Sequence, residues 1–313
     1  MRARHQTLTC LLGDPVDHSV SDLMFQYFAQ ITDIDNYKHL KLRVPGDNKE
    51  NLKMALEAIS MFDFSGANIT LPYKEQVIKY INAIDDSAKG IGAINTIVNK
   101  NGKLIGYNTD SCGAIKAIEE KLRPVKLSDK VMILGAGGAA RAIISGLANR
   151  VKRIVVLNRN SDLNRALKLK EDFSYIKTPI EIKELSDLNI IYSLESSDII
   201  INATSVGMYP NGDETIIKKL HIESILDHQI GFRDKIFFDA IFNPFITPFL
   251  KLAQSYGCEV CPGIYMMIYQ GLEAFYLWTN RRVPEKEIEK IYLLLHKEIE
   301  TSYKKSSQQL IKT

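Results

Sequence analysis

Several features that mark specialised classes of protein are scarce in this sequence of 313 residues. Its four cysteines are too few for a disulfide-rich secreted scaffold. Cys258 and Cys261 have the spacing of half a zinc site, but such a site needs a second pair of ligands, and the sequence shows none. We therefore predict no metal site and expect these two cysteines to be reduced and buried.

Long apolar runs and a strong charge of one sign are also missing. No run of about 18 apolar residues occurs, so we expect no membrane-spanning helix. Arg2, Arg4 and His5 precede the apolar run Leu8–Leu12, which is too short for a signal peptide, so the cytoplasm is the expected compartment. The formal net charge is only +3 and no basic face stands out, which argues against a nucleic-acid partner.

Strand-like and helix-like segments alternate along most of the chain. Hydrophobic residues make up 45% and charged residues 25%, so a sizeable core is available, and the length favours two domains. The alternation predicts an α/β protein with mostly parallel sheets. In the first block, strands are expected at Leu8–Leu12, Leu40–Val44, Gly66–Leu71, Ile94–Val98 and Leu104–Tyr107, the last two joined by a hairpin at Asn101-Gly102, and helices at Asp22–Ile31, 52–59, Lys74–Ile81 and Cys112–Leu122.

A second block of the same kind starts near Leu127. Its expected strands are Val131–Leu134, Ile154–Leu157, Ile199–Asn202 and Ile236–Ala240, with a helix between the first two that ends at Leu147. Helical spacing then returns along 264–275 and over Val283–Tyr303, and we expect these C-terminal helices to pack on the first block.

The sharpest local signal is the glycine-rich turn from Gly135 to Ala140, which matches the pattern GxGxxA. An apolar strand precedes it and an alanine-rich helix follows. The first glycine permits a tight turn, the second lets the backbone approach a pyrophosphate, and the amides of the helix N-terminus bind phosphate. The pattern predicts a dinucleotide site; the alternative is a helix-packing turn that binds no ligand.

The residues that end the next strand bear on the choice of cofactor. Sites selective for NAD place an acidic residue about 20 residues after the turn, to bind the ribose 2′-hydroxyl. This chain has Asn158-Arg159-Asn160 there, and a guanidinium suits the 2′-phosphate of NADP. NADP is therefore the predicted cofactor, with NAD as the alternative because Asp162 lies close by and opposes the preference. A solvated surface arginine is the remaining interpretation.

Polar residues interrupt segments of the first block that are otherwise built to be buried. Singly, each has a structural explanation as a helix cap, a turn residue or a solvated side chain. Together they supply the donors and acceptors that a polyhydroxylated substrate needs, and a lysine beside an aspartate can move the proton of an alcohol during hydride transfer. The residues are Ser19, Ser21, Asn68, Thr70, Lys74, Asn95, Thr96, Asn108, Thr109 and Asp110.

These motifs, in this order, resemble those of the shikimate dehydrogenase family. The resemblance runs from the first strand to the helix that holds Trp278, and the order of its motifs makes it far more specific than the glycine turn alone. The motifs are His18-Ser19-Val20-Ser21, 66–74 (GANITLPYK), 92–96 (GAINT), Asn108-Thr109-Asp110, the glycine turn, Asn158-Arg159, 202–208 (NATSVGM), Gly263 and Gln270.

The resemblance implies a soluble enzyme that reversibly reduces 3-dehydroshikimate to shikimate with NADPH in chorismate and aromatic amino acid biosynthesis. It implies an α/β substrate domain over 1–112, completed by helices at about 264–303, and a Rossmann-like NADP-binding domain over 113–263. The active site would lie in the cleft between the two domains. The chain would be a monomer or a homodimer.

The resemblance also implies roles for individual residues. Lys74 and Asp110 would be the catalytic pair. The substrate would be bound by these two residues together with Ser19, Ser21, Asn68, Thr70, Asn95, Phe242 and Gln270. The cofactor would be bound by Gly135, Ala136, Gly137, Gly138, Ala139, Asn158, Arg159, Asn160, Thr204, Ser205, Ala240, Gly263 and Met267.

The sequence departs from the family pattern at a few of these motifs. Asp22 stands where the family usually has proline, Ser111 where it has glycine, and Phe242 where it has tyrosine, so one substrate hydrogen bond is expected to be lost. The loop Ser161–Arg165 on the adenine side also differs. These departures concern affinity more than the type of reaction.

Two other functions fit the same residues. An NAD-dependent quinate/shikimate dehydrogenase is the nearer alternative, since that subgroup tends to carry an acidic residue soon after the arginine; Asn68 and Thr70 favour the biosynthetic enzyme and Asp162 favours the alternative. A dinucleotide sensor without activity is the remoter one, because a fold alone does not establish a function. The presence of both Lys74 and Asp110 argues against it.

Overall fold

The computed structural model describes residues 6–48, 50–209, 212–226 and 231–310, so that Arg2, Arg4 and His5 lie outside the described residues. The chain divides into two compact units. The first holds the residues up to Asp110 together with Ile268–Glu298, and the second holds Ser111–Met267 with the residues from Ile299 onward. The domain limits at 112 and 263 and the cleft between two domains stay predictions.

Strands and helices alternate through both units, which confirms the predicted α/β class. The strands are β1 (Thr7–Gly13), β2 (Tyr37–Arg43), β3 (Gly66–Ile69), β4 (Ala83–Ile84), β5 (Thr96–Lys100), β6 (Lys103–Tyr107), β7 (Lys130–Leu134), β8 (Arg153–Asn158), β9 (Ile180–Glu184), β10 (Ile199–Asn202), β11 (Ile236–Asp239) and β12 (Glu259–Cys261). The α-helices are α1 (Ser21–Ile31), α2 (Glu50–Met61), α3 (Asp110–Lys121), α4 (Gly138–Leu147), α5 (Leu163–Asp172), α6 (Asp187–Glu195), α7 (Lys219–Leu226), α8 (Pro248–Ser255), α9 (Ile264–Thr279) and α10 (Ile288–Leu310).

The first unit is built on a mixed six-stranded sheet in the order β2-β1-β3-β5-β6-β4. Strands β2, β1 and β3 run parallel, whereas β5 is antiparallel to both β3 and β6. The predicted hairpin between β5 and β6 is confirmed: Asn101 and Gly102 both have positive φ, at 55° and 82°, as a two-residue hairpin turn requires.

An aromatic cluster joins α1, β2 and α9 in the first unit. The rings of Phe25 and Trp278 have centroids 5.1 Å apart, and Phe28 and Phe275 meet edge to face at 5.6 Å. The indole N–H of Trp278 donates to the carbonyl of Ile97 on β5 at 2.8 Å. Rings of this size bury much apolar surface, and the buried indole finds the partner it needs. The end of α9 is thereby fixed to the sheet of this unit.

The second unit is built on an all-parallel six-stranded sheet in the order β12-β11-β10-β7-β8-β9. Counted along the chain within this unit, the strands lie in the order 6-5-4-1-2-3, which is the Rossmann arrangement. The order reverses between β7 and β10. Ligands of such sheets bind at the carboxyl ends of the strands where the order reverses. A ligand is therefore expected at the turn after β7 and the loop after β10.

The β2 strand lies earlier than predicted. We expected Leu40–Val44, but the strand covers Tyr37–Arg43, and its buried residues are Tyr37 and His39, while Leu40 and Leu42 are 41% and 38% exposed. The hydroxyl of Thr9 on β1 explains the register, since it lies 2.7 Å from the Tyr37 hydroxyl and 2.8 Å from Nδ1 of His39. The polar ends of the two rings find a buried partner there, and the leucines of the edge strand stay outside.

Two further elements near the predicted site end differently from our expectation. The strand Gly66–Leu71 ends at Ile69, because Pro72 has no N–H to donate to a ladder. Thr70 therefore lies beyond β3, although the predicted strand included it. The helix expected at Lys74–Ile81 is a 3₁₀ turn over Gln76–Tyr80, so Lys74 lies in the connecting loop.

The cysteines and the helices agree with the first expectations from composition. Cys258 and Cys261 are buried and form no disulfide, as predicted, and burial raises the pKa of Cys258 to about 11, so this thiol is not a nucleophile at neutral pH. Within the described ranges, no helix is long and apolar enough to cross a membrane. Across the same ranges, no three His, Cys, Asp or Glu side chains group as metal ligands.

Candidate functional site

The structure brings together the lysine and the aspartate that the sequence analysis paired across 36 positions of the chain. Nζ of Lys74 lies 2.6 Å from Oδ2 of Asp110, and their side chains are 19% and 8% exposed. Lys74 is held by the loop after β3, and Asp110 is the first residue of α3. The N-terminus of a helix favours a carboxylate, because its amide groups and dipole carry partial positive charge. The ammonium thus lies at the edge of a largely buried polar network.

Asn95 connects the aspartate to the C-terminal helix of this unit. Its amide nitrogen lies 2.9 Å from Oδ1 of Asp110, 2.9 Å from the hydroxyl of Thr109 and 3.2 Å from Oε1 of Gln270 on α9. Its amide oxygen accepts from the backbone N–H of Thr109 at 2.7 Å. Both oxygens of Asp110 are therefore engaged, one by Lys74 and the other by Asn95. Three of the predicted substrate-binding residues share one network with Lys74.

Two threonines complete this network; both were counted among the polar residues suited to a substrate, but neither was assigned an individual role. The hydroxyl of Thr96 accepts from the amide of Asn68 at 3.1 Å and lies 3.1 Å from the hydroxyl of Thr109. Both threonines are buried. The signal for them was present, since each follows an asparagine in a quoted motif. Their roles appear only when β5 and β6 bring 96 and 109 side by side.

Ser19 and Ser21 contact each other at the start of α1. The hydroxyl of Ser19 donates to that of Ser21 at 3.0 Å and accepts from the backbone N–H of Ser21 at 3.2 Å. Thr70 is anchored through its backbone, whose N–H donates to the carbonyl of Leu12 at 2.9 Å. The two serines thus present adjacent hydroxyl groups, which is the donor pattern that a carboxylate can accept.

The glycine turn of the second unit has room for a phosphate group. Gly135 has φ of +95°, and a Cβ there would lie 2.8 Å from Cγ2 of Thr204, so a side chain would collide with the loop after β10. At Gly137, by contrast, a Cβ would meet no atom of the described residues within 4 Å. Gly137 caps α4, whose first amides have no partner within the helix. The geometry fits a pyrophosphate at this helix N-terminus.

The arginine proposed for NADP recognition is exposed and has an acidic neighbour. The guanidinium of Arg159 lies 3.7 Å from the carboxylate of Asp162, and the side chains are 73% and 36% exposed. The amide of Asn158 donates to the carbonyl of Asp162 at 2.6 Å, which holds the 3₁₀ turn Asn160–Asp162 against the end of β8. Asp162 would therefore compete with a 2′-phosphate for Arg159, at the modest strength of an exposed ion pair.

A buried carboxylate joins the loops after β10 and β11, and the sequence analysis missed it. Asp239 accepts from the amide of Asn202 at 3.1 Å, from the hydroxyl of Thr247 at 2.6 Å and from the backbone N–H of Ile241 at 2.9 Å. Burial raises the pKa of Asp239 to about 6, although all three hydrogen bonds favour the ionised form. The sequence signal was weak, because an aspartate at a strand end usually caps a turn.

Through Asn202 and Ile241, Asp239 positions most of the predicted cofactor residues on this side. The amide oxygen of Asn202 accepts from the hydroxyl of Thr204 at 2.7 Å, so the loop that continues to Ser205 is fixed to the end of β10. The N–H of Gly263 donates to the carbonyl of Ile241 at 3.2 Å, and a Cβ on Gly263 would lie only 2.5 Å from that oxygen. The predicted cofactor residues in these segments are Thr204, Ser205, Ala240, Gly263 and Met267.

Three family models match the chain. The shikimate dehydrogenase substrate binding domain matches residues 11–97, shikimate / quinate 5-dehydrogenase matches 117–245, and the shikimate 5′-dehydrogenase C-terminal domain matches 263–291. Among curated proteins, the NADP(+) shikimate dehydrogenase of Methanococcus maripaludis is 38% identical over 278 residues, which is 87% of this chain and 92% of the relative.

Solved structures agree with these matches. The shikimate 5-dehydrogenase of Listeria monocytogenes, in complex with shikimate and NAD, gives a TM-score of 0.80 at 30% identity and covers 92% of this chain and 96% of its own. A shikimate dehydrogenase in complex with NADP+ gives a TM-score of 0.81 at 34% identity, with coverages of 96% and 98%.

We expect the stability difference between the wild-type protein and an Asp239→Asn variant to depend on pH. Because the pKa of Asp239 rises from 3.8 to about 6 on folding, its contribution to stability is complete below pH 3.8 and decreases as pH rises towards 6. The decrease amounts to about 3 kcal/mol. Asparagine does not titrate, so the free energy of unfolding of the wild type minus that of the variant should fall between these pH values and stay level above pH 6.

Urea denaturation at a series of pH values measures this difference. Asp86→Asn is the matched control, since Asp86 is 88% exposed and pairs with Lys89 at the surface. A difference that rises with pH across the same window would show that folding lowers the pKa of Asp239, because its hydrogen bonds outweigh its burial.

Proposed function

The chain belongs to the shikimate dehydrogenase family, and on that basis we propose that it reduces 3-dehydroshikimate reversibly to shikimate with NADPH. The observation that carries the proposal is the contact of Lys74 and Asp110 at 2.6 Å inside a network of amide and hydroxyl groups. A proton-transfer group is useful only when it is held in place, and this network fixes the aspartate through both of its oxygens. The reaction belongs to the synthesis of chorismate and the aromatic amino acids.

In the direction of reduction, NADPH supplies the hydride that the carbonyl carbon of the substrate receives. Lys74 donates a hydrogen bond to the carbonyl oxygen, stabilises the negative charge that develops there and gives that oxygen its proton. Asp110 orients the ammonium and accepts a hydrogen bond from the substrate. In the direction of oxidation Lys74 takes the proton back from the alcohol. Lys74 and Asp110 are the catalytic pair in this mechanism.

The remaining polar residues of the first unit bind and orient the substrate. Ser19 and Ser21 hold the substrate carboxylate through their adjacent hydroxyl groups. The ring hydroxyls are held by Asn95 and Gln270, with Asn68 and Thr70 alongside. Phe242 offers no hydroxyl, so the substrate makes one hydrogen bond fewer than in relatives with tyrosine. Phe242 then contributes apolar contact only.

The second unit binds the cofactor. The backbone of the glycine turn and the first amides of α4 hold the pyrophosphate, and Gly137 leaves the space that the phosphates need. Arg159 pairs with the 2′-phosphate, flanked by Asn158 and Asn160. The cofactor contacts assigned to the turn and to the other loops are made by Gly135, Ala136, Gly138, Ala139, Thr204, Ser205, Ala240, Gly263 and Met267.

The contact of Asp162 with Arg159 favours a second candidate function. An NAD-dependent quinate/shikimate dehydrogenase needs no 2′-phosphate contact, and a carboxylate near the ribose suits NAD. Asn68 and Thr70 favour the biosynthetic reaction with shikimate. The sensor without activity is disfavoured by the catalytic pair. The monomeric or homodimeric state and the cytoplasmic compartment stay predictions.

A matrix of two substrates and two cofactors tests the proposed function. We expect the highest kcat/KM for shikimate with NADP, and lower values for shikimate with NAD and for quinate with either cofactor. The oxidation is followed by absorbance of the reduced nicotinamide. Faster turnover of quinate with NAD than of shikimate with NADP would favour the NAD-dependent quinate/shikimate dehydrogenase. Binding of NADP without turnover of either substrate would favour the sensor.

Lys74→Ala is expected to lower kcat by about 10²- to 10⁴-fold, the usual contribution of a positioned proton-transfer group, with little change in KM. Steady-state oxidation of shikimate measures both constants. Lys79→Ala is the control, since Lys79 is an exposed lysine of the 3₁₀ turn that follows. A kcat within a few-fold of the wild type would remove Lys74 from the mechanism.

Arg159→Ala is expected to raise KM for NADP about tenfold to a hundredfold, the value of a charge-assisted hydrogen bond, and to leave KM for NAD nearly unchanged. Asp162→Asn should act in the opposite direction and lower KM for NADP about twofold, because it frees Arg159 from an exposed ion pair. Lys168→Ala, an exposed lysine of α5, is the control. Equal losses with both cofactors would make Arg159 a general phosphate or adenine contact.

A further inference from the structure

An acidic residue stands next to the proposed carboxylate-binding serines. Asp22 follows Ser21 directly, in the first turn of α1. Its side chain is 43% exposed. The helix N-terminus accounts for a carboxylate at this position. It does not explain how an anionic substrate binds beside a second negative charge, because like charges a few ångströms apart disfavour each other.

A lysine of the edge strand supplies the opposite charge at this place. Nζ of Lys41 on β2 donates to the backbone carbonyl of Ser19 at 2.9 Å and lies 3.5 Å from Oδ2 of Asp22. It also lies 3.5 Å from the carbonyl of Asp17. The Lys41 side chain is 28% exposed. The ammonium is therefore held by the same few residues that present the serine hydroxyls.

The other cation near this end of β2, Arg43, is paired with a different carboxylate. Arg43 lies two positions further along the strand, and its Nε contacts Oδ1 of Asp14 at 2.6 Å. Asp14 also accepts from the N–H of Gly46 at 3.2 Å. Arg43 and Asp14 thus neutralise each other, whereas Lys41 contacts the segment that holds Ser19 and Asp22.

From these contacts we infer that Lys41 and Asp22 form a charge-compensated pair that sets the affinity for the anionic substrate. The inference rests on the proposed function. Lys41 cancels the charge of Asp22, so the substrate carboxylate reaches Ser19 and Ser21 without net repulsion. Neither residue touches the reacting carbon or oxygen, and the pair acts on KM and leaves the chemical step alone.

The test is a double-mutant cycle in which KM and kcat for shikimate are measured with NADP. Lys41→Met is expected to raise KM about threefold to tenfold, because Asp22 is left without its partner, with kcat within about twofold of the wild type. Asp22→Asn is expected to lower KM about twofold. The double variant should return KM to within about twofold of the wild type, and Lys41→Arg should preserve it. Lys38→Met, an exposed lysine of the same strand, is the control.

Salt separates the charge effect from a structural one. Between about 25 mM and 500 mM KCl, screening should lower KM in Lys41→Met and raise it in Asp22→Asn. If Lys41 acts only by pinning the loop through the carbonyl of Ser19, the double variant stays as impaired as Lys41→Met and its KM is insensitive to salt; this result overturns the inference. So does a normal KM in Lys41→Met.

The two hypotheses fail in different ways. A wild-type protein that does not turn over shikimate overturns the proposed function and, with it, the inference. A wild-type protein with normal turnover and a KM that no substitution at Lys41 or Asp22 changes overturns the inference alone. Urea midpoints of all variants establish that each is folded. If Lys41→Met does not fold, the lower KM of Asp22→Asn and its rise with salt still test the inference, and an unchanged KM there overturns it.

Discussion

The largely buried pairing of the Lys74 ammonium with the Asp110 carboxylate is the interaction on which the arrangement of the first unit depends. Removing two charges from water is unfavourable, and their attraction compensates for it only if the remaining lone pairs are also satisfied. Asn95 supplies that second contact, at 2.9 Å from the other oxygen of Asp110. Thr109 and Gln270 hold Asn95 in turn. The polar network is thus the condition for burying the pair and, in the proposed mechanism, the scaffold that orients the proton-transfer group.

The second unit follows the same physical logic with a different carboxylate. Among the described residues Asp239 has no cation beside it, and its charge is balanced by three hydrogen-bond donors: Asn202 at the end of β10, and Ile241 and Thr247 in the connection after β11. Through these donors one buried group fixes the two loops that follow β10 and β11, where ligands of a Rossmann-like sheet bind. Gly263 is held to the second of these loops by a contact that leaves no room for a side chain. Pre-organisation of this kind lowers the entropy that binding must overcome.

Two exposed acid–base pairs act differently from the buried ones. Arg159 with Asp162, at 3.7 Å, and Lys41 with Asp22, at 3.5 Å, are accessible to water and contribute little to stability. In the proposed function their value lies in ligand choice, because each cation would meet either its own carboxylate or an anionic ligand. On that proposal the first pair moderates the preference for a 2′-phosphate, and the second moderates the affinity for a carboxylate.

Sequence patterns were enough to predict the α/β class, the glycine turn, the Asn101-Gly102 hairpin and the contact of Lys74 with Asp110, because these follow from local periodicity, backbone conformation and motif order. The register of β2 and the partners of Asp239 and Lys41 became clear only from the tertiary structure. The register of β2 is set by the contacts of Thr9 with Tyr37 and His39, and the leucines of the strand do not set it. The physical reason is that a periodic pattern reports which side chains avoid water, whereas a polar side chain takes whichever partner the topology brings within about 3 Å. Lys41 contacts the carbonyl of Ser19 only because β2 lies beside β1 in the sheet, and nothing local in either segment encodes that contact.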